Sequence, residues 1–479
     1  MQDSKLILLI QSFTKEEIRV FGNYLEGTSY RKTSNVFALF NYLKKLHPVF
    51  PEEKIAKEYV FKKIMPKGKA YNNKRMRDVM SILSITIENF LLAKELEESE
   101  MERELLMLNV LRKRKQDKLF FQKVHQIQKK WEKDAPPGIE RYLYEYLIQK
   151  AHYSHPNFSK YLTKKMSLHN LMEKVDNYYF ASKLYCTINL LKHKHSFKPS
   201  DGDQPIIFIE EISQICKKSP YKENIHLDIF NCFFETYTHQ DNSDYQTLKQ
   251  LYFNRIDFFD DSEKIDLFFL LQNYCSINYN HGKDEYVKEL FELNKFSVEE
   301  KIIIEDDMIA TSLFRSHVII GCIAKENEWV ANFIKNYQHY LDKSKREDIV
   351  LLCEATLALS QKQFETCLEK LLTVKIEDIV YGMQVRILQL EAYYELENYE
   401  EAFYNLVHSF TIFLHRNKEI SDNQKEPILN FIHFSKKLHK EKYNPNSKKI
   451  NLIPKLNEYE KILERKWLMR KAVELQNKK

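Results

Sequence analysis

The chain has 479 residues, 43% of them apolar and 30% charged, which supports buried cores and excludes a disordered chain. Only eight glycines and twelve prolines occur; parallel α/β folds need glycine at phosphate loops, and β folds need it in hairpins, so an all-α fold is expected. The net charge of +6 is unevenly placed: residues 1–135 carry +9, residues 436–479 carry +9, and the stretch between them carries −12.

In chain order, the first signal is Thr14-Lys15-Glu16-Glu17, a capping box that predicts a helix start. From about Tyr71 to Lys115 the pattern predicts a long helix or a closely broken pair. Met76, Val79, Met80, Leu83, Ile87, Phe90 and Leu91 form one stripe, and Leu105, Leu108 and Leu111 resume it after a charged stretch. Ala135-Pro136-Pro137-Gly138 breaks any helix where the charge changes sign. Lys198 to Asp203 reads as a polar loop, after which Asp203-Gln204-Pro205 caps a helix that begins with Ile206-Ile207-Phe208-Ile209. Ser297-Val298-Glu299-Glu300 and Ser344-Lys345-Arg346-Glu347 read as further capping boxes, and Asn444-Pro445-Asn446-Ser447 precedes a basic tail helix. The expected organisation is a basic helical domain over 1–134, a helical array over 139–440 and a basic C-terminal helix over 448–479.

Near the C-terminus the chain repeats itself. Residues 352–368 are echoed 35 positions later by 387–403: an apolar helix, a short polar turn, an aromatic (Phe364, Tyr399), then a small residue three positions on (Cys367, Ala402). Trp329 stands 35 residues before Phe364, and Tyr286 and Tyr245 open similar segments at looser spacing. This resembles the tetratricopeptide repeat, over roughly 315–415 and faintly from about 225, although the family's first-helix glycine and terminal proline are missing. The resemblance implies an α-solenoid of antiparallel hairpins with a peptide groove lined by first helices. The matching positions are Ile387, Glu391, Tyr394 and Glu395 in the later repeat, and Leu352, Thr356 and Leu359 in the earlier one. Such a mixed apolar and acidic groove suits a basic or amphipathic segment; the alternative is that these side chains pack on neighbouring repeats.

Chemistry-bearing motifs are sparse. Gly22 to Ser29 has the glycine spacing of a phosphate loop, but threonine replaces the required lysine and a helix precedes it. His152 and His155 are followed by Pro156, and His193 and His195 point to different helix faces, so neither pair predicts a metal. Asp201-Gly202-Asp203 and Asp306-Asp307 have no third ligand or partner base. Seven scattered cysteines without C-x-x-C spacing read as buried thiols of a reducing compartment. The Leu6–Ile10 apolar run is too short for a signal peptide, and no run approaches the ~18 residues of a membrane span, so a cytoplasmic protein is expected.

One polar cluster stands out. Lys62, Lys63, Lys67, Lys69, Lys74, Arg75 and Arg77 have no acidic residue among them, and they surround a loop that opens a helix, a candidate anion or nucleic-acid contact. The expected function is a non-catalytic scaffold or adaptor that binds a protein or peptide, without cofactor, metal or membrane. The alternative is a regulator whose basic head contacts nucleic acid.

Overall fold

The protein is described by a computed structural model over residues 1–27, 34–66, 68–161, 168–196, 205–239, 242–375, 378–443, 452–459 and 461–477. Among these residues the fold is all-α, with an isolated bridge between Glu305 and Met308 as the nearest approach to a sheet. No described helix is long and apolar enough to cross a membrane. Two compact units divide the chain, Met1–Tyr179 and Phe180–Lys479.

In the first unit, α1 (Lys5–Gln11), α2 (Lys15–Gly27), α3 (Ser34–Lys44) and α4 (Lys57–Ile64) pack against α5 (Asn73–Glu98). The stripe expected on α5 is its buried face, from Met76 to Phe90. It meets an aromatic knot in which Phe21 contacts Phe13, Phe40 and Phe90 at centroid distances of 5.7, 5.0 and 5.3 Å. Thr14 and Glu17 close their capping box, with Glu17 N–H donating to the threonine hydroxyl at 3.1 Å and Thr14 N–H donating to the carboxylate at 2.8 Å. The long helical pattern is a broken pair: Ser99, extended at φ −86° and ψ 91°, ends α5 and precedes α6 (Glu100–Lys113). Helices α6, α7 (Asp117–Trp131) and α8 (Glu140–Tyr153) share a smaller core of Leu108, Phe120, Phe121, Val124 and Ile148. The division between units falls within α9 (Leu168–Ser196).

The second unit continues with α10 (Ile209–Cys216), α11 (Ile225–His239), α12 (Asn242–Asn254), α13 (Asp261–Asn280), α14 (Tyr286–Glu299), α15 (Thr311–Ile323) and α16 (Asn327–Tyr337). After these come α17 (Arg346–Ser360), α18 (Phe364–Thr373), α19 (Ile379–Glu395), α20 (Glu400–Arg416), α21 (Asp422–Tyr443), α22 (Leu452–Glu458) and α23 (Arg465–Asn477). Helices α11 to α20 pair as five successive hairpins; the second to fifth pack each on the next, and the first meets the second through Tyr237 and Tyr245 against Tyr274. Of the five aromatics singled out by spacing, Tyr286 and Phe364 start the second helix of their hairpin, Tyr399 directly precedes it, and Tyr245 and Trp329 lie in its first turn. Phe364 packs on a core of Leu352, Ala355 and Ala358 from α17, and the Tyr399 ring lies 5.7 Å from that of Tyr393 on α19. Cys367 is fully buried between α17 and α18, whereas Ala402 is half-buried. A first-helix glycine does exist at Gly321 of α15: a Cβ there would stand 2.4 Å from Val330 Cγ2 on α16, so the two helices meet where no side chain fits.

Three expected helix starts are corrected. The segment from Pro205 to Phe208 is turn rather than helix, and Phe208 is left-handed at φ 65°; α10 begins at Ile209. Ser297 lies in the last turn of α14, where its hydroxyl donates to Asn294 O at 2.8 Å, because burial selects the helix interior over a cap. Ser344 is not the cap of α17; it is held by Asp342, while Arg346 donates to His339 O and Leu341 O. The box that the pattern missed is Asp260 with Glu263, at the start of α13. The predicted loop at 198–203, the segment 444–447, and the His193 and His195 side chains lie outside the described residues.

Candidate interaction surfaces

The basic corner is formed by two helix ends. Lys62 and Lys63 occupy the last turn of α4, Lys69 sits in the connection, and Lys74, Arg75 and Arg77 occupy the first turns of α5; all six are exposed. Lys67 lies outside the described residues. Local packing fixes the corner: Phe61, fully buried on α4, meets Tyr71 edge-on at 5.3 Å, and Met65 is buried in the connection. Asn72 caps α5 by accepting the Arg75 N–H at 2.9 Å, and the first turn of this 26-residue helix has no acidic residue.

The groove candidates have a different environment. Ile387 is half-buried, and Glu391 and Tyr394 are buried. What covers them is the chain's own C-terminal helix. Trp467 of α23, 6% exposed, meets Tyr394 edge-on at 5.1 Å, and Leu468 is fully buried in the same core. Lys471 pairs with Glu395 at 2.5 Å and with Glu474 at 2.8 Å. Lys442 of α21 donates to the Tyr394 carbonyl at 2.6 Å. Farther back in the array, Lys466 of α23 pairs with Asp284 at 2.6 Å and lies over the Tyr279 ring. One basic amphipathic helix thus touches both the second and the fifth hairpin. In the earlier repeat, Leu352 is core and Thr356 bonds its own helix through Leu352 O.

Glu391 is the electrostatic weak point under α23. Burial holds its carboxyl well above the usual carboxylate range, the charges of Glu464 and Glu395 push it further, and Arg470 and Lys471 oppose this. Ionising Glu391 therefore opposes the docked arrangement. Sequence reasoning missed Trp467, Leu468 and Lys471; the available signal was an apolar pair followed three residues later by Lys471-Ala472, an amphipathic turn within a tail read only as basic.

Most of the other titratable clusters lie in the interior. Ser297 Oγ lies 2.9 Å from His317 Nε2, a nucleophile-and-base pairing by distance, but both side chains are fully buried and His317 Nδ1 is committed to Leu313 O at 2.9 Å. Burial drives the His317 pKa down to about 4. Its depressed value means that the neutral ring stabilises the fold above the ordinary histidine range, and that this stability is lost as pH falls toward 4. The urea midpoint is expected to drop between pH 7 and pH 4.5, with this ring contributing about 2 kcal/mol, and His317→Gln should flatten that part of the pH profile. A profile unchanged by the substitution would assign the acid sensitivity to other groups.

His152 and His155 are buried against Phe121, their rings 5.1 and 4.7 Å from it, and His155 Nδ1 accepts the Asn157 N–H. Asp306 and Asp307 form a left-handed turn at φ 49° and 58°. All seven cysteines are free, and burial pushes the thiols of Cys216, Cys275, Cys353 and Cys367 up to about 12, so these four resist oxidation and metal binding at neutral pH. A cleft of about 320 Å³ opens between α7, α8 and α9, walled by Trp131 and Ile148 and crossed by the Glu145–Lys174 ion pair at 2.7 Å. No known protein family, curated protein or solved structure matches the chain.

Proposed function

We propose that the second unit is a TPR-like array that works as a non-catalytic adaptor, and that its ligands are basic amphipathic helices. The observation that carries this reading is the seat of α23 on α19: an aromatic anchor, Trp467 against Tyr394, beside a lysine paired with Glu395. A surface that accepts one such helix in cis has the apolar floor and acidic rim that a helix supplied by another protein would need. The same face explains why the acidic middle and the basic tail belong to one chain. Specificity follows from charge: a helix with glutamate at the Lys471 position would face Glu395 and Glu391 together.

The test is binding in trans. A chain ending at residue 459 should bind a labelled peptide of residues 461–477, and its thermal midpoint should rise with peptide concentration. The same peptide carrying Lys471→Glu or Trp467→Ala should bind at least about tenfold more weakly, one missing contact being worth about 1.4 kcal/mol or more. Equal binding of all three peptides to a folded shortened chain defeats the reading. If the shortened chain does not fold, full-length protein carrying Trp467→Ala takes its place in the titration.

A further inference from the structure

Five lysines of the first unit are held by carboxylates on other helices, whereas two exposed basic clusters are not: the run Arg112 to Lys115, at the C-terminal end of α6 where cations offset the helix dipole, and the corner around the N-terminus of α5. Lys5 pairs with Glu88 at 2.5 Å, Lys94 with Glu17 at 2.7 Å, Lys123 with Glu104 at 2.6 Å, Lys174 with Glu145 at 2.7 Å, and Lys130 with Glu100. At the corner between α4 and α5, six exposed cations have no carboxylate partner among the described residues; the one contact is Lys63 over the Tyr59 ring at 5.5 Å. Six like charges on one corner repel one another and add nothing to folding. The apolar groups beneath them, Phe61, Ile64, Met65 and Met76, face inward, and no large apolar side chain is exposed between Lys62 and Arg77 among the described residues. A protein interface needs an apolar centre, and a lipid interface takes up several exposed apolar side chains; beside this corner the exposed one is a single ring, Tyr59, 43% exposed next to Lys63. The corner offers charge on a rigid frame, together with the positive end of a 26-residue helix whose first turn carries no acid.

We propose that this corner binds the phosphodiester backbone of a nucleic acid. Contact is to phosphate rather than to bases, with Lys62 and Lys63 on one side of the connection, Lys69 within it, and Lys74, Arg75 and Arg77 on the other side. Binding is therefore independent of sequence and is driven by counterion release.

The experiment titrates full-length protein into labelled duplex DNA and duplex RNA of random sequence, read by fluorescence polarisation. Affinity should fall by about a hundred- to a thousandfold between roughly 50 and 200 mM salt, as expected for four to six phosphate contacts. The variant Lys62→Gln, Lys63→Gln, Arg75→Gln, Arg77→Gln should lose about a hundredfold or more at fixed salt. A second variant, Arg112→Gln, Lys113→Gln, Arg114→Gln, Lys115→Gln, removes the same net charge from the end of α6 and should stay within about threefold of the parent. All eight positions are exposed, and circular dichroism checks that both variants are folded. The duplex that binds more tightly names the source of the phosphate. The proposal falls if neither duplex binds at low salt, if the two variants lose affinity equally, or if phosphatidylserine vesicles bind as tightly as nucleic acid.

Discussion

Replacing Trp467 with alanine is expected to lower the unfolding free energy of the protein by about 3–5 kcal/mol, the range for removing a large buried aromatic. The indole is 6% exposed and sits between Tyr394 at 5.1 Å and Phe431 at 5.9 Å, so its loss opens a cavity that α19, α21 and α23 cannot all close. The loss then spreads. With its anchor gone, α23 no longer holds Lys471 over Glu395, and the cover it gives Glu391 and Tyr394 loosens. Hydrogen exchange should therefore rise along α19 as well as along α23. Trp467→Phe keeps an aromatic face and should cost less than half as much. Equilibrium urea unfolding of the three proteins measures the ordering; an alanine variant within about 1 kcal/mol of the parent would show that α23 is a loosely attached tail.

The second large effect separates positions that look alike in sequence. Tyr245 and Tyr399 both introduce a second helix, yet Tyr245→Ala is expected to cost about 3–5 kcal/mol and Tyr399→Ala about 1 kcal/mol or less. Tyr245 is fully buried and stacked on Tyr274 at 5.1 Å and 10°. Its hydroxyl donates to Glu289 at 3.2 Å and accepts from the Cys275 thiol at 3.1 Å. Alanine there removes a packed ring and both of these bonds, one of them from a polar network in which Lys249 pairs with Glu289 at 2.6 Å. Tyr399 is 40% exposed and has one ring neighbour. Thermal or urea midpoints of the two variants decide the point, and equal costs would mean that the repeat position rather than burial sets the energy.

The all-α fold was legible because its cause is local. Apolar residues at spacings of three and four place a stripe on any helix, and the α5 stripe from Met76 to Phe90 is buried as written. The hairpin aromatics were legible for the same reason. The scarcity of glycine was read correctly as helices with short turns, but its structural counterpart was not visible in advance. At four helix ends the left-handed position that glycine usually takes is a lysine: Lys115, Lys301, Lys325 and Lys362, with φ between 55° and 64°. Each end is closed by the paired bonds of a Schellman turn, such as Gln363 N–H to Ala358 O at 2.8 Å and Lys362 N–H to Leu359 O at 3.0 Å. The backbone strain is small enough for those bonds and the favourable lysine charge at a helix C-terminus to offset it.

Caps were the least legible elements. Thr14 and Ser297 carry the same local pattern, and only the first is a cap, because whether a hydroxyl meets a free N–H depends on where the chain turns. By itself the sequence determined the helices, the hairpin spacing and the exposed basic corner, since periodicity, turn chemistry and like-charge clustering act over a few residues. Tertiary structure alone decided that Glu391, Tyr394 and Glu395 lie under α23, because residues more than 70 positions apart meet only when the whole array has folded. Burial there turned acidic positions that read as a binding surface into part of a core, and made a tail that read as merely basic its anchor.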